Sequence, residues 1–405
     1  MSKWEEQKFG DLYLIPSRNG LTRPSSVRGA GYKFINMGEI FAYNRIGNIE
    51  TELVQLNEKE KKEMTLQKND LLFARQSLVF TGAGKCSIML DLEDVVSFES
   101  HIIRVRLNPE IANPMFYYYY FSLPYNSVKT IVQQCAQAGI RGSDLEKIKV
   151  PCPYIEIQNQ IADILSAYDD LIEANNRRIE LLEQTAQELY KEWFVRFRFP
   201  GYENAKFEDG FPKGWTIKRL ADYGRVETGK TPSTDVLENY GGEMMFVKTP
   251  DMHGNIFIIQ TEDKLSERGH NAQPKKLLPA NSIMVSCIGT AGVVSINAEP
   301  AHTNQQINSI ILNNPNELEW LYHTCKSLKD TIELFGATGA TMTNLSKGKF
   351  EKLKVVDPRE DLILEYHNKV HPLFNEIKSL MYQNQNLAAQ RDMLLPRLMS
   401  GKLEV

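Results

Sequence analysis

The feature that most constrains this chain is an internal repeat, because two similar halves of one sequence require two copies of one fold. The matched segments are residues 4–12 and 215–223, 34–40 and 246–252, 69–73 and 281–285, and 145–153 and 350–358. Their offsets of 211, 212, 212 and 205 barely change along 405 residues. We therefore predict two similar globular domains.

Inside each copy, the hydrophobic pattern mixes short strands with helices. Residues 282–286 and 307–312 alternate or run apolar, as strands do, whereas residues 113–123 and 316–328 are apolar at helical spacing. The aromatic run 117–121 resembles a platform for base stacking, but the same spacing favours a buried helix. We predict an α+β fold class with a mostly antiparallel sheet in each domain.

Each copy is followed by a long helical pattern whose apolar residues recur in steps of three and four. The first seam is Ile157, Ile161, Ile164, Tyr168, Leu171, Asn175, Ile179, Leu182, Ala186, Leu189 and Trp193. The second is Ile363, Tyr366, Val370, Leu373, Ile377, Leu380, Asn384, Leu387, Arg391, Leu394 and Leu398. Asn175 and Asn384 both lie on the seams, where a polar residue fixes the register of paired helices. We predict two long helices packed on each other; the alternative is two amphipathic helices, each lying on its own domain.

These patterns give the predicted organisation of the chain. Residues 1–153 form the first domain, 154–198 the first long helix, 199–213 a linker, 214–358 the second domain, and 359–405 the second long helix and tail. The linker is rich in glycine and proline. Pro372 is expected to kink the second helix or to mark the start of its regular part. A helix of this length spans roughly 57 Å.

Charge is distributed unevenly along the chain. The net charge is -4, yet residues 154–194 hold nine acidic and three basic residues, which leaves a positive balance elsewhere. The five cysteines include no Cys-x-x-Cys pair, which argues against a disulfide framework and a zinc knuckle. The sequence shows neither a signal peptide nor a membrane span, so we expect a cytoplasmic protein.

Three motifs resemble catalytic or metal sites without meeting their requirements. Residues 224–231 match the phosphate-binding G-x-x-x-x-G-K-[ST] pattern, but the preceding residues 216–223 read as a helix instead of the apolar strand that this loop needs. Residues 151–154 resemble the Pro-Pro-aromatic turn of amino-group DNA methyltransferases but lack its Asp or Asn. His367 and His371 are four residues apart without an adjacent Glu, and we interpret them as solvated helix residues. We predict no catalytic residue, no metal and no cofactor.

Polar and basic residues in loops are better candidates, because Lys and Arg bind phosphates whereas Arg, Asn, Ser and Thr read base edges. Two loops, residues 139–143 and 339–344, occupy matched positions before the last strand of each domain. A solvated turn is the open alternative for both loops. The candidate DNA-binding residues are Arg75, Lys85, Arg141, Ser143, Lys230, Lys248, Thr341, Thr343 and Asn344.

Residues 188–201 with 214–215, residues 339–355 and residues 394–403 carry a resemblance to a known family. Together they resemble the specificity subunit of Type I restriction-modification systems, over nearly the whole chain. The resemblance implies two target-recognition domains, each reading one half of a bipartite asymmetric site in double-stranded DNA. It also implies that the helices form an antiparallel coiled coil with pseudo-twofold symmetry, which sets the spacing between the half-sites.

The same resemblance implies the partners of the chain. The helices would dock two methyltransferase subunits, to which restriction subunits add in the full complex, and adenine methylation and cleavage would belong to those partners. This agrees with the lack of catalytic motifs. The alternatives are a P-loop NTPase-like protein that uses residues 224–231, and a coiled-coil adaptor without DNA contact.

Overall fold

The structure is a computed structural model, and it describes residues 4–134, 138–337 and 344–405. The chain divides into two compact units, Met1–Ile172 with Asn386–Val405, and Glu173–Gln385. Across the described ranges, every helix is too short or too polar to cross a membrane.

The first unit is built around a five-stranded sheet of order β2-β10-β6-β8-β4. Its strands are β1 (Glu6–Lys8), β2 (Tyr13–Asn19), β3 (Arg28–Ile35), β4 (Arg45–Ile46), β5 (Glu52–Val54), β6 (Leu71–Ala74), β7 (Gln76–Ser77), β8 (Cys86–Met89), β9 (Val96–Phe98), β10 (Ile102–Leu107), β11 (Gln133–Gln134), β12 (Ala138–Gly139) and β13 (Lys149–Pro151). Smaller sheets pair β5-β3-β9, β11-β12-β7 and β1-β13. Its short helices are α1 (Met37–Ala42), α2 (Glu58–Glu63), α3 (Pro114–Ser122) and α4 (Gly142–Leu145).

The aromatic run of the first unit forms the buried helix α3. Asn113 caps it by accepting hydrogen bonds from the backbone amides of Met115 and Phe116, and Pro114 fits the first helical turn. Five of its six aromatic side chains are buried in the same core as Phe9 and Phe73 of the sheet. The buried-helix prediction is therefore confirmed, and these rings are not a surface for base stacking.

The first long helix, α5, spans Ile155–Tyr190 and ends in a π-helical turn, Lys191–Val195. The second unit then repeats the fold of the first. Its strands are β14 (Phe207–Glu208), β15 (Phe211–Pro212), β16 (Thr216–Arg219), β17 (Gly224–Thr228), β18 (Tyr240–Val247), β19 (Phe257–Ile258), β20 (Lys264–Leu265), β21 (Ile283–Ser286), β22 (Val294–Asn297), β23 (Ala301–Thr303), β24 (Ile307–Leu312) and β25 (Lys354–Asp357). Its short helices are α6 (Thr249–Met252), α7 (Glu267–Asn271), α8 (Leu318–Ser327), α9 (Lys329–Gly336) and α10 (Lys347–Phe350), and the chain ends with the long helix α11 (Glu360–Met399).

The predicted repeat is confirmed by sheet topology. The second unit contains a five-stranded sheet of order β17-β24-β21-β22-β19, a three-stranded sheet β20-β18-β23 and the pair β16-β25, each matching a sheet of the first unit. Most pairings are antiparallel, as predicted, with parallel pairs such as β4-β8 and β19-β22 at sheet edges. The matched residues Asn69 and Asn281 both adopt positive φ, of 70° and 63°, at the turn before the central strand.

The two long helices pack on each other within each unit. In the first unit, Leu395, Leu398 and Met399 of α11 join the core that holds Ile161 and Leu165 of α5, and Arg391 pairs with Asp169. In the second unit, Tyr366 donates a hydrogen bond to the carbonyl of Ala186 at 3.1 Å. In the second unit the partners of Asn175 and Ala186 are Asn384 and Tyr366, so residue numbers rise along α5 while they fall along α11, and the two segments run antiparallel.

Asn175 and Asn384 meet across the helix pair in the second unit. The Asn175 amide donates to Oδ1 of Asn384 at 2.8 Å, and the Asn384 amide donates to Oδ1 of Asn176 at the same distance. Asn175 is buried, so replacing either partner would leave an amide without its hydrogen bond. The structure thus brings the two seam asparagines together, and their effect on helix register stays a prediction.

Several local expectations were wrong. Ile164 and Leu171 are 37% and 48% exposed, and Leu165 occupies the buried position instead, because the first seam drifts around α5. Residues 216–223 form strand β16 and a single 3-10 turn instead of a helix, because β16 pairs with β25. Helix α11 is continuous through Pro372, so this proline does not mark where its regular part begins.

Candidate nucleic-acid interface

In the first unit, three of the predicted DNA-binding residues lie along one margin of the central sheet. Arg75 directly follows β6, and its carbonyl accepts a hydrogen bond from the Ile140 amide at 2.9 Å, which places Arg141 beside it. The Lys85 carbonyl accepts from the Ala74 amide at 2.8 Å. Backbone pairing therefore gathers Arg75, Lys85 and Arg141 from three distant parts of the sequence.

These side chains differ in their exposure to solvent and in their contacts within the domain. Arg141 and Ser143 are exposed at the start of α4, whereas Arg75 is half-buried. The Lys85 ammonium donates to the Phe41 carbonyl at 2.9 Å and lies over the Phe41 ring, and burial lowers the pKa of Lys85. The Lys85 ammonium thus makes part of its contacts within the domain. Arg141 is the most exposed of the three cations along this margin.

Many other basic residues of the first unit are neutralised internally. Ion pairs join Arg18 to Glu63, Arg23 to Glu60, Arg28 to Glu52, Lys33 to Asp94 and Arg106 to Asp70. A cation that already pairs with a carboxylate contributes less to phosphate binding. Among the described residues, Arg141 has no such ion pair, which distinguishes it from these five cations.

In the second unit, Lys230 is exposed, and its backbone pairs with Thr303 and with the Gln273 side chain. Lys248 forms an ion pair with Asp263, which raises the pKa of the lysine and reduces its free charge. Asn344 is exposed and bridges to Ile288, beyond the end of β21. Thr341 and Thr343 lie outside the described residues.

The structure also reveals a polar turn that sequence reasoning missed, residues 304–306 between β23 and β24. Thr231 donates to Oε1 of Gln305 at 2.5 Å, and Oε1 of Gln306 accepts from Asn304 and Thr249. The Gln306 carbonyl accepts from the Cys287 amide at 2.7 Å, next to Ile288 and Asn344. Amide side chains of this kind read base edges. In the sequence, the run of Asn304, Gln305 and Gln306 just before a strand was a visible but weak signal of this turn.

The matched turn of the first unit, residues 99–101, has the same backbone pairing with different side chains. The Arg75 amide donates to the His101 carbonyl at 2.8 Å, as the Cys287 amide donates to Gln306 in the second unit. The Glu99 amide donates to the Ile35 carbonyl, as the Asn304 amide donates to Val247. One backbone frame therefore carries Glu, Ser and His in one unit and Asn, Gln and Gln in the other, where Asn304 is buried and bonded to Gln306.

The geometry excludes the phosphate-binding loop. Residues 224–228 form β17, which pairs along its length with β24, so they cannot curl around a phosphate. At Gly229 an added Cβ would lie 2.1 Å from the Asn304 carbonyl oxygen, so this glycine serves close packing of the backbone. After Thr231 the described chain next turns helical only at Leu237–Asn239, too far along to hold a phosphate in that motif.

Comparison with known proteins gives consistent matches. A family model described as the Type I restriction modification DNA specificity domain matches residues 1–184 and 212–360. The HindI Type I restriction enzyme specificity subunit of Haemophilus influenzae is 30% identical, and the match covers 100% of both chains. The MjaIX specificity subunit of Methanocaldococcus jannaschii is 29% identical over 66% of this chain and 63% of that protein.

A solved structure agrees with the fold. The Type I restriction-modification S subunit from M. genitalium superposes with a TM-score of 0.59 over 98% of this chain and 96% of that one. The sequence identity of that pair is 15%, so the likeness concerns the fold alone.

Proposed function

Because the chain belongs to the DNA specificity subunits of Type I restriction-modification systems, we propose that each repeat reads one half of a bipartite asymmetric DNA target. The observation that carries this proposal is the pair of matched turns: residues 99–101 and 304–306 share their backbone hydrogen bonds but differ in every side chain. Because the two turns share a backbone but carry different side chains, they favour recognition of two unlike half-sites.

We assign residues 1–153 and 214–358 as the two target-recognition domains, and residues 199–213 as their linker. The helical segments 154–198 and 359–405 are proposed to dock two methyltransferase subunits, with restriction subunits added in the full complex. In the first unit, α5 exposes Ile164 and Leu171, apolar side chains of the kind that a protein partner covers.

Methyl transfer and cleavage then belong to the partners, and a cytoplasmic location follows from access to DNA. The role of the helices in spacing the half-sites stays a prediction.

The direct test is to map modified adenines in cells that express the methyltransferase subunit with and without this chain. We expect methylation at one two-part sequence, with unlike halves, only when the chain is present. Methylation at the same sites without the chain would show that sequence recognition lies in the methyltransferase subunit. A palindromic target would contradict the assignment of two different reading surfaces.

Arg141 provides a sharper test of the first domain. Arg141→Ala is expected to relax the preference at one base pair of the target and to weaken specific binding by about 1–3 kcal/mol, since arginine commonly reads guanine. Binding of the methyltransferase complex to a set of singly substituted duplexes measures both effects. The matched control is Lys68→Ala, at the opposite end of β6, where Lys68 pairs with Asp91. A uniform loss across all duplexes would assign Arg141 to phosphate contact and overturn the base-reading role.

A further inference from the structure

A buried carboxylate in the second unit lies between two histidines. Glu319 of α8 is fully buried, and its two oxygens each accept a hydrogen bond at 2.7 Å, one from Nδ1 of His367 and one from Nδ1 of His371. The histidines are one turn apart on α11, with ring centres 4.6 Å apart. Both are therefore held by Glu319, in contrast to the solvated residues that the sequence suggested.

We propose that Glu319, His367 and His371 form a binding site for a divalent transition-metal ion, with zinc as the principal occupant. The three ligand atoms lie within 4.8 Å of one another. Two imidazole nitrogens and one carboxylate oxygen are a ligand set that zinc favours, and they leave a fourth position for water. Magnesium and calcium prefer oxygen ligands, so they fit this set poorly.

The charge of the site supports a cation. Within the described part of the chain, neither oxygen of Glu319 has a lysine or arginine nitrogen within 4.0 Å. The two imidazoles satisfy hydrogen bonds of the carboxylate, and a buried carboxylate is costly unless hydrogen bonds and a nearby cation compensate it. A divalent ion bound through the two Nδ1 atoms and the carboxylate would supply such a cation.

Metal binding requires the three side chains to rearrange within the site. Zinc bonds of about 2.1 Å in a tetrahedral arrangement separate ligand atoms by roughly 3.4 Å. The 2.7 Å contacts, which the two histidines make to different oxygens of Glu319, would open, and ligand atoms that now lie up to 4.8 Å apart would draw together. Each imidazole would then carry its proton on Nε2 and bind the ion through Nδ1. His371 is 43% exposed, which provides an entry path and access for a water ligand.

The bound ion would clamp α8 to α11. Helix α8 also contributes Trp320, Leu321 and Tyr322 to the core of the second unit, and α11 contributes Tyr366 and Val370 to the same core. A metal that binds only the folded state stabilises it in proportion to its occupancy. We therefore assign the ion a structural role, holding the second recognition domain on its helix.

The test uses the untagged full-length chain, stripped of metal with a chelator and then titrated with Zn²⁺ by calorimetry. We expect one Zn²⁺ per chain and a rise of roughly 5 °C in the melting temperature at saturating zinc. Co²⁺ is expected to give the visible absorption bands of a four-coordinate site with nitrogen and oxygen ligands, whereas Mg²⁺ should produce neither effect.

His371→Ala is the decisive variant, because this partly exposed side chain can be removed without emptying the core. It should abolish the stoichiometric binding and the Co²⁺ spectrum while circular dichroism stays unchanged. The matched control is His270→Ala, in a second histidine pair of the same unit, where His270 contacts His302 at 3.0 Å. Within the described residues no third ligand completes that pair, so the variant should bind as the parent does.

Two results would overturn the proposal. If neither Zn²⁺ nor Co²⁺ binds the parent chain stoichiometrically, the three residues form a hydrogen-bonded triad only. If His371→Ala binds zinc as the parent does, the ion occupies another place. Both measurements are made without DNA, so their outcome is independent of the proposed recognition of half-sites.

Discussion

Exchange of residues 1–153 for the equivalent segment of another specificity subunit is expected to change one half of the methylated DNA sequence completely and to leave the other half unaltered. Residues 1–153 supply every described strand of the first unit and its candidate reading margin, so the side chains that read DNA should travel with the segment. Mapping of modified adenines in cells that express the chimera with its methyltransferase subunit measures both halves at once.

The structure shows where the junction should lie. Strands β1 and β13 pair from Glu6 to Pro151 and close the domain, and α5 begins at Ile155, so a junction at 153 breaks neither element. The domain meets α5 through specific contacts: the Asn113 side-chain amide donates to Oδ1 of Asn159 at 2.7 Å, and the Tyr119 hydroxyl donates to Asp169 at 2.6 Å. A replacement segment that keeps Asn and Tyr at positions 113 and 119 should fold against α5 of the recipient chain.

The reciprocal exchange of residues 214–358 is the control, and it should change only the other half of the target. In that domain β16 and β25 make the closing pair, which residues 214–358 include in full. If either exchange altered both halves, or neither, the two domains would not be independent readers. An unchanged target in both chimeras would favour the adaptor interpretation, in which DNA contact lies elsewhere.

The sequence predicted the large features of the fold because they depend on periodicity and repetition. The seams of three and four residues placed both Asn175 and Asn384 in the helix interface, where the structure joins them across 209 positions. The repeat predicted two similar domains, and the structure has matched sheets and positive φ at the matched residues Asn69 and Asn281. Both signals are carried by many residues, so a single irregular position does not disturb them.

The features that failed depend on contacts between distant segments. Residues 216–223 have a helix-like pattern, but pairing with β25, far along the chain, makes the segment a strand. The polar turn at 304–306 is recognisable as a candidate site only when Thr231, Thr249 and Cys287 are seen beside it. Similarly, His367 and His371 are recognisable as a candidate metal site only when Glu319 is seen beside them. Glu319 precedes them by 48 and 52 positions.

The largest expected effect on stability comes from the ion pair between Asp70 and Arg106 in the first unit. Asp70 is fully buried, and its oxygens accept from Nε and a terminal nitrogen of Arg106 at 2.6 and 2.7 Å. Asp70→Ala would leave the largely buried guanidinium without its partner, which typically costs about 3–5 kcal/mol. Urea denaturation, with hydrogen exchange of strands β6 and β10, should show this loss in the first unit alone.

Two further variants separate the buried charge from other effects of the substitution. Asp91→Ala removes a partner from the exposed ion pair with Lys68 and should change the free energy of unfolding by no more than about 1 kcal/mol. The double variant Asp70→Leu with Arg106→Met replaces both charges by apolar groups and should recover most of the stability, because an unpaired buried charge no longer remains. The Asp70 carboxylate also accepts a hydrogen bond from the Gln67 amide at 2.8 Å. A double variant as unstable as Asp70→Ala would therefore show that this turn contact, and not the ion pair, is the main contribution of Asp70.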